Sequence, residues 1–221
     1  MTIAAHVVSR RGGVHLLRVF SYLGFVIAPR INAAGRMSTP DIAARLLLAS
    51  DDAMADEARA LAGQLNTENL RRREEEAQIV QQARAAVERD PEIGARTVLV
   101  VGGEGWHRGV IGIVASKLVD AFHRPAIVLS IEDGVAHGSC RSIPAFDMLG
   151  ALERCAHLFI RFGGHRQAAG LTMDAGRMRE LREGVNDVAA ETLGPDDLMP
   201  RLRIDGDLDF RSITGGIASG V

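Results

Sequence analysis

The chain has 221 residues, 47 % of them hydrophobic, and a formal charge of −2 at pH 7. That is enough apolar material for one large or two modest domains. It excludes a polycation, so any surface for nucleic acid must be a local patch. Two cysteines make a disulfide framework a poor reading and a reducing cytoplasm the default compartment, and no apolar run reaches the length needed to cross a bilayer.

Charge is uneven along the chain. Before Pro40 the basic residues Arg10, Arg11, Arg18, Arg30 and Arg36 have no acidic counterweight, whereas residues 51–57 and 196–209 are acid-rich. A short helix is expected near residues 14–20, and Ser38, Thr39 and Pro40 predict a helix start with a run to Ala49. Ser50 and Asp51 can cap another. Residues 52–89 are rich in Ala, Leu, Glu, Gln and Arg, with Leu61, Leu65, Leu70, Ile79 and Val80 separated by polar faces. One long connecting helix is expected there, bent at Gly63 or near residues 66–69, and the alternative is two helices of a bundle.

After Pro91 the pattern turns to alternating strand and helix. Residues 97–101, 126–130, 135–140 and 168–173 read as strands, with a turn at 132–134. Helices are expected over 110–121, over 146–155 and from the last strand to about Thr192. The alternation predicts an α/β domain with mixed sheet pairing. Residues 193–200 read as an acidic, proline-bearing linker, and 201–208 as the first strand of another unit. Both ends are expected to cut through folding units.

Two glycine-rich stretches stand out, GGEGWHRGVIG at 102–112 and RFGGHRQAAG at 161–170. Glycines let backbone N–H groups approach a ligand closely. In the first, Trp106 offers a stacking surface and His107 and Arg108 offer donors to phosphate oxygens beside a helix N-terminus. It lacks the spacing of a Walker loop or a dinucleotide fingerprint. The alternative is a plain turn with Trp106 covering core. In the second, Gly163 and Gly164 are expected to present N–H groups to an oxyanion beside His165, against the alternative of a histidine that caps a loop. A metal site assembled from His107, His137 and His165 is a further alternative.

Between them, GSCRS at 138–142 ends a predicted strand, so Ser139 and Arg141 share a face and suit a terminal phosphate, while Cys140 points into the fold. IAPRINAAGRM at 27–37 can direct Asn32 and Arg36 toward one polar surface. The run Arg71 to Arg73 followed by Glu74 to Glu76 reads either as helix-surface ion pairing or as Asn69 and Arg73 turned toward a groove.

IAPRINAAGR, the long Glu/Arg-rich helix, GGEGWHRGVIGIVASKL, GSCRS and RFGGHRQAAG follow one another in an order that resembles the bacterial RecJ exonucleases, of the DHH/DHHA1 phosphoesterase superfamily, from about Gly24 onward. The resemblance implies four parts: the C-terminal edge of a DHH domain at 1–50, a helical connector at 51–92, a DHHA1-type α/β domain at 93–194, and a linker with the start of an OB-like domain at 195–221. It implies a single-strand-specific 5′-to-3′ DNA exonuclease that uses Mn²⁺ or Mg²⁺ held by DHH-domain motifs. This sequence carries no Asp-His-His signature, so the chain by itself is expected to bind no metal and to be inactive.

What the resemblance carries over is substrate placement. Arg36 is expected at the DNA backbone, Ser139 and Arg141 at the 5′-phosphate with Gly163, Gly164 and His165, and His107 facing the cleft. Arg73 stands where the family often has Gln. The implied partners are single-stranded DNA with a 5′-phosphate and a DHH domain, with no membrane. A strand-binding paralogue without hydrolysis and a phosphodiesterase for cyclic dinucleotides or short oligonucleotides are the competing readings.

Overall fold

The computed structural model describes residues 19–49 and 54–200. Most of the helix expected at 14–20, the Ser50 and Asp51 cap and the strand expected at 201–208 therefore lie outside the described residues.

A π-helical turn, Leu23–Ile27, runs into α1 (Ala28–Met37), and α2 (Asp41–Leu48) follows Pro40. The Thr39 hydroxyl accepts from the Asp41 N–H at 3.3 Å, which satisfies a donor of the first turn. Next comes α3, Ala55–Arg89, one unbroken helix of 35 residues and about 52 Å. Gly63 does not break it, because strong helix formers surround it and no proline intervenes. Its buried positions Leu61, Leu65, Asn69, Glu76, Ile79, Ala83 and Val87 recur at fours with one three and one seven, which is a single stripe. The N-terminal part of that stripe packs Leu65 against Ala34 and Ala43, and the C-terminal part packs Ile79, Ala83 and Val87 into the core of the sheet.

A short turn of helix, α4 (Pro91–Gly94), capped by the Asp90 carboxylate, leads into the sheet. Its strands are β1 (Leu99–Glu104), β2 (Ala126–Glu132), β3 (Val135–Arg141), β4 (Phe159–His165) and β5 (Ala168–Asp174). They lie in the order β1-β2-β3-β5-β4, with β1 parallel to β2 and every other pair antiparallel. The fold is thus α/β with a mixed five-stranded sheet. Asp133 and Gly134, at φ 50° and 78°, form the two-residue turn between β2 and β3 that the right-handed twist of a hairpin favours.

Each face of the sheet has its own cover. Helix α5 (Arg108–Phe122) and the end of α3 pack on one face, over Leu99, Val101, Ala126 and Val128. Helices α6 (Met148–Arg154) and α7 (Met178–Thr192) pack on the other, over Ile127, Leu129, Cys140, Leu171 and Met173. Asn186 of α7 is buried, and its amide accepts from the Val98 N–H at 2.9 Å and donates to the Val98 carbonyl at 3.1 Å. The backbone groups just before β1 are thereby paired, as burial requires.

Four sequence expectations are corrected. The helix expected over 146–155 runs from Met148 to Arg154, and the first half of the glycine-rich stretch 161–170 lies in the edge strand β4. Gly163 and Gly164 weaken the strand signal, yet they face Gly170 and Ala169 of β5, whose small side chains leave room for close pairing. A Cβ on Gly164 would press on the Ala168 carbonyl and the Ala169 backbone. Trp106 is not an open stacking surface, since it is only 7 % exposed and its indole N–H donates to Gln82 Oε1 at 2.7 Å. Asn69 is buried in α3 and accepts from Arg72, so it does not accompany Arg73 to a groove.

Glu76 ties α3 to α5. Its buried carboxylate accepts from Arg72 at 2.6 Å one turn away and from Lys117 at 2.5 Å across the helix interface. Arg72 is also largely buried, so removing the carboxylate strands a charge in the interface. Glu76→Ala is expected to cost about 3 kcal/mol, read as a lowered denaturant midpoint. A midpoint equal to the parent's would show that the pair contributes nothing to docking the long helix.

Candidate nucleic-acid interface

The register of three adjacent strands builds the site. On the face shared with α5, β3 turns His137, Ser139 and Arg141 outward, while Cys140 and Ala136 enter the opposite core. Antiparallel pairing sets His137 beside Thr172 and Arg161, Ser139 beside Gly170 and Gly163, and Arg141 beside Ala168 and His165. Three rows result. The middle one has almost no side chain, and the outer two carry arginine and histidine.

The open part of this face is a depression of about 460 Å³ lined by Arg108, His137, Ser139, Arg161, Gly163 and Thr172, among others. Helix α5 forms its wall. Gly112 of α5 sits over Ser139 and Arg141, where an added Cβ would lie 3.1 Å from the Ser139 hydroxyl and 3.2 Å from an Arg141 terminal nitrogen. Arg141 donates to Ser139 Oγ at 3.3 Å and to the Cys140 carbonyl at 2.8 Å, so the guanidinium is held against the hydroxyl. Cys140 itself is buried, and burial pushes its thiol up to about 12, which rules it out as a nucleophile at neutral pH.

The start of α5 brings a histidine and two arginines together. His107 is the N-cap, and its Nδ1 accepts from the Gly109 N–H at 3.0 Å, leaving the proton of the neutral ring on Nε2. Gly109 packs against the Arg36 backbone so closely that a Cβ there would overlap the Arg36 carbonyl. The Arg36 guanidinium donates to the Gly109 carbonyl at 3.0 Å, which brings Arg36 next to His107 and Arg108. Arg108 pairs with Glu132 at 3.2 Å, and both side chains are more than half exposed.

The expected site residues therefore divide. Arg108, Ser139 and Gly163 line the depression, Arg141 and His165 stand in the adjoining row of the same face outside that lining, and Arg36 and His107 join at the mouth of α5. Gly164 alternates with Gly163 along β4 and so leaves the floor to it. Trp106 supports the loop from beneath by accepting, through its carbonyl, the Ser130 hydroxyl. Asn32 and Arg73 are exposed on α1 and α3, and neither lines the depression. Sequence reading missed Arg161 and Thr172, whose placement depends on β4 being a strand.

Thr172 Oγ1 accepts from Arg161 Nε at 3.2 Å and lies 3.4 Å from His137 Nδ1. Its hydroxyl proton is therefore available to His137 Nδ1, which leaves the ring N–H of a neutral His137 on Nε2. Partial burial lowers the His137 pKa, and the charges of Arg108 and Arg161 lower it further, against a smaller raising effect of Glu132. The imidazole is neutral at pH 7, and its positive form gains ground only as pH falls below the ordinary 6.5. An NMR titration is expected to place the His137 midpoint below 6.5 and to move it up in Arg161→Gln; a midpoint indifferent to that change would mean that the two groups do not face one site.

Among the described residues, no group of three or more His, Cys, Asp and Glu side chains stands close enough to hold a metal ion. His107, His137 and His165 lie in different rows or on different elements, so the alternative of a remote histidine metal site has no geometric support among them. Nor is any described helix long and apolar enough to cross a membrane.

Residues 95–191 match the DHHA1 domain model. The chain is 41 % identical over 186 residues to the single-stranded-DNA-specific exonuclease RecJ of Bacillus subtilis, covering 83 % of this chain and 23 % of that protein. It is 35 % identical over 208 residues to the RecJ of Escherichia coli, covering 90 % and 35 %. A crystal structure of exonuclease RecJ bound to manganese superposes with a TM-score of 0.68 at 36 % identity, over 80 % of this chain and 42 % of that one. The RecJ of Thermus thermophilus in complex with Mn²⁺ gives 0.68 at 33 % identity, over 84 % and 28 %. The chain thus spans well under half the length of these relatives. With a DHHA1 domain match across the sheet, the chain is similar to RecJ proteins along most of its own length and to part of theirs.

Proposed function

We propose that this chain supplies the strand-holding part of a single-stranded-DNA-specific exonuclease, and that its sheet face receives the 5′-phosphorylated end of the strand. The observation that carries this reading is the Ser139–Arg141 pair held under Gly112 beside a floor of Gly163 and Gly170. A hydroxyl and a guanidinium with no carboxylate among their hydrogen-bond partners in the described residues suit a phosphate, and the glycine floor beside them carries no side chain. Arg36 and Arg108 extend the positive surface past the helix start, and the Nε2–H of His107 adds a donor, so that backbone phosphates are gripped and bases go unread. That pattern fits an enzyme indifferent to sequence.

The relatives named as manganese or magnesium complexes point to a divalent metal for the reaction. The described residues do not form its site, so their part in the chemistry is to bind and orient the strand. In this reading, residues 1–50 belong with a DHH domain, 51–92 connect, 93–194 form the DHHA1 unit and 195–221 lead onward. The supporting feature is the single helix α3, which shares one stripe between the small core of α1 and α2 and the large core of the sheet.

Binding of a short 5′-phosphorylated oligothymidylate and its 5′-hydroxyl twin, at one low salt concentration, tests the proposal. The phosphorylated strand is expected to bind more tightly. Arg141→Ala should remove that advantage, a loss of about 1.5–3 kcal/mol, or roughly ten- to a hundredfold in affinity. Equal binding of the two strands by the parent chain would contradict it.

A further inference from the structure

Gly112 is the fifth residue of α5, a place where alanine would favour the helix more. A glycine inside a helix needs no spatial reason, as Gly63 of α3 shows, since a Cβ there would meet nothing within 4 Å. Gly112 is different. Its missing Cβ would stand 3.1 Å from the Ser139 hydroxyl and 3.2 Å from Nη2 of Arg141. Both distances are tighter than ordinary van der Waals contact, so a methyl group there would push these atoms by a few tenths of an ångström.

The push falls on the polar pair and not on the helix. Val110, Ile111 and Val114 bury α5 in the core over the sheet, α3 lies behind it through the Lys117–Glu76 ion pair, and Gly109 already meets the Arg36 backbone. Within the pair, Arg141 Nη1 donates to the Cys140 carbonyl at 2.8 Å and to Ser139 Oγ at 3.3 Å. The second bond is already long, so turning the hydroxyl or swinging the guanidinium away from α5 breaks it. The Nε–Nη2 edge of Arg141 moves with the guanidinium, and neither nitrogen of that edge has a hydrogen-bond partner among the described residues. That edge is the side-on fork by which an arginine grips two oxygens of one phosphate.

We propose that Gly112 is a specificity-determining position, where the absence of a side chain on α5 lets Arg141 present its Nε–Nη2 edge to the terminal phosphate of a strand. The preference of the face for a phosphorylated end is then set by a helix residue as well as by the strand residues that make the contacts. Gly112 acts through Arg141 and Ser139 and is a positioning residue. The proposal rests on the terminal-phosphate reading above. Gly112→Ala leaves the charge of Arg141 in place and changes only where its fork lies, so this variant separates geometry from charge, which Arg141→Ala does not.

The test measures binding of 5′-phosphorylated tetrathymidylate and its 5′-hydroxyl twin by the full chain and by Gly112→Ala, at one low salt concentration, together with the melting temperature of each protein. The parent is expected to prefer the phosphorylated strand. Gly112→Ala is expected to lower that preference about fivefold, with the change falling on the phosphorylated strand alone. Its melting temperature is expected to be no lower than the parent's, because alanine is the better helix former. An unchanged preference in Gly112→Ala overturns the proposal and leaves the terminal-phosphate reading standing. Equal weakening of both strands, or a lowered melting temperature, assigns Gly112 to helix packing and overturns the proposal as well. Equal binding of the two strands by the parent overturns the terminal-phosphate reading itself, and the role of Gly112 with it.

Discussion

Everything the site can do depends on the antiparallel register of β3, β5 and β4. Because side chains alternate along a strand, one residue of slip in either pairing would send Arg161 or Arg141 into the core and bring phenylalanine or cysteine out. The register is held from both ends of the hairpins. Asp133 and Gly134 fix β2 against β3, and the turn after His165 is anchored where Ser142 and Met148 donate to the Gln167 and Arg166 carbonyls at 3.0 Å. On the far face, Leu171, Met173 and Cys140 bury against α6 and α7, and that burial penalises every alternative pairing.

Helix α5 converts this flat face into a cleft. It can approach because residues at its contacts are glycine: Gly112 over Ser139 and Arg141, and Gly109 against the Arg36 backbone. The same contacts couple the helix start to α1, so the cations of two distant sequence segments come to one place. Glu76, shared between Arg72 and Lys117, secures the long helix behind α5. A net charge of −2 is compatible with this local field because Arg36, Arg141 and Arg161 hydrogen-bond to carbonyls and hydroxyls, while carboxylates such as Glu191 and Glu183 pair away from the face, with Arg154 and Arg179.

Much of this was legible in the residues. The 35-residue helix followed from composition and a single apolar stripe, the β2–β3 hairpin from Asp-Gly between alternating runs, and the shared face of Ser139 and Arg141 from strand periodicity. What failed did so for identifiable reasons. Gly163 and Gly164 carry no strand signal of their own and are held in β4 by pairing with small residues that lie later in the chain. Trp106 is equally at home over a base or in a core, and its choice was settled by Gln82, 24 residues away. Arg161 and Thr172 could not be joined to the site until β4 was placed beside β5.

The central claim is that one sheet face, organised in rows, receives the strand. Mapping backbone and side-chain NMR shifts of the chain on addition of a 5′-phosphorylated dinucleotide tests it most directly. The account predicts changes concentrated at residues 107–112, 137–141, 161–165 and 168–172, with His137 and His165 among the strongest. Changes confined to α6 and α7, or spread evenly over the surface, would contradict it.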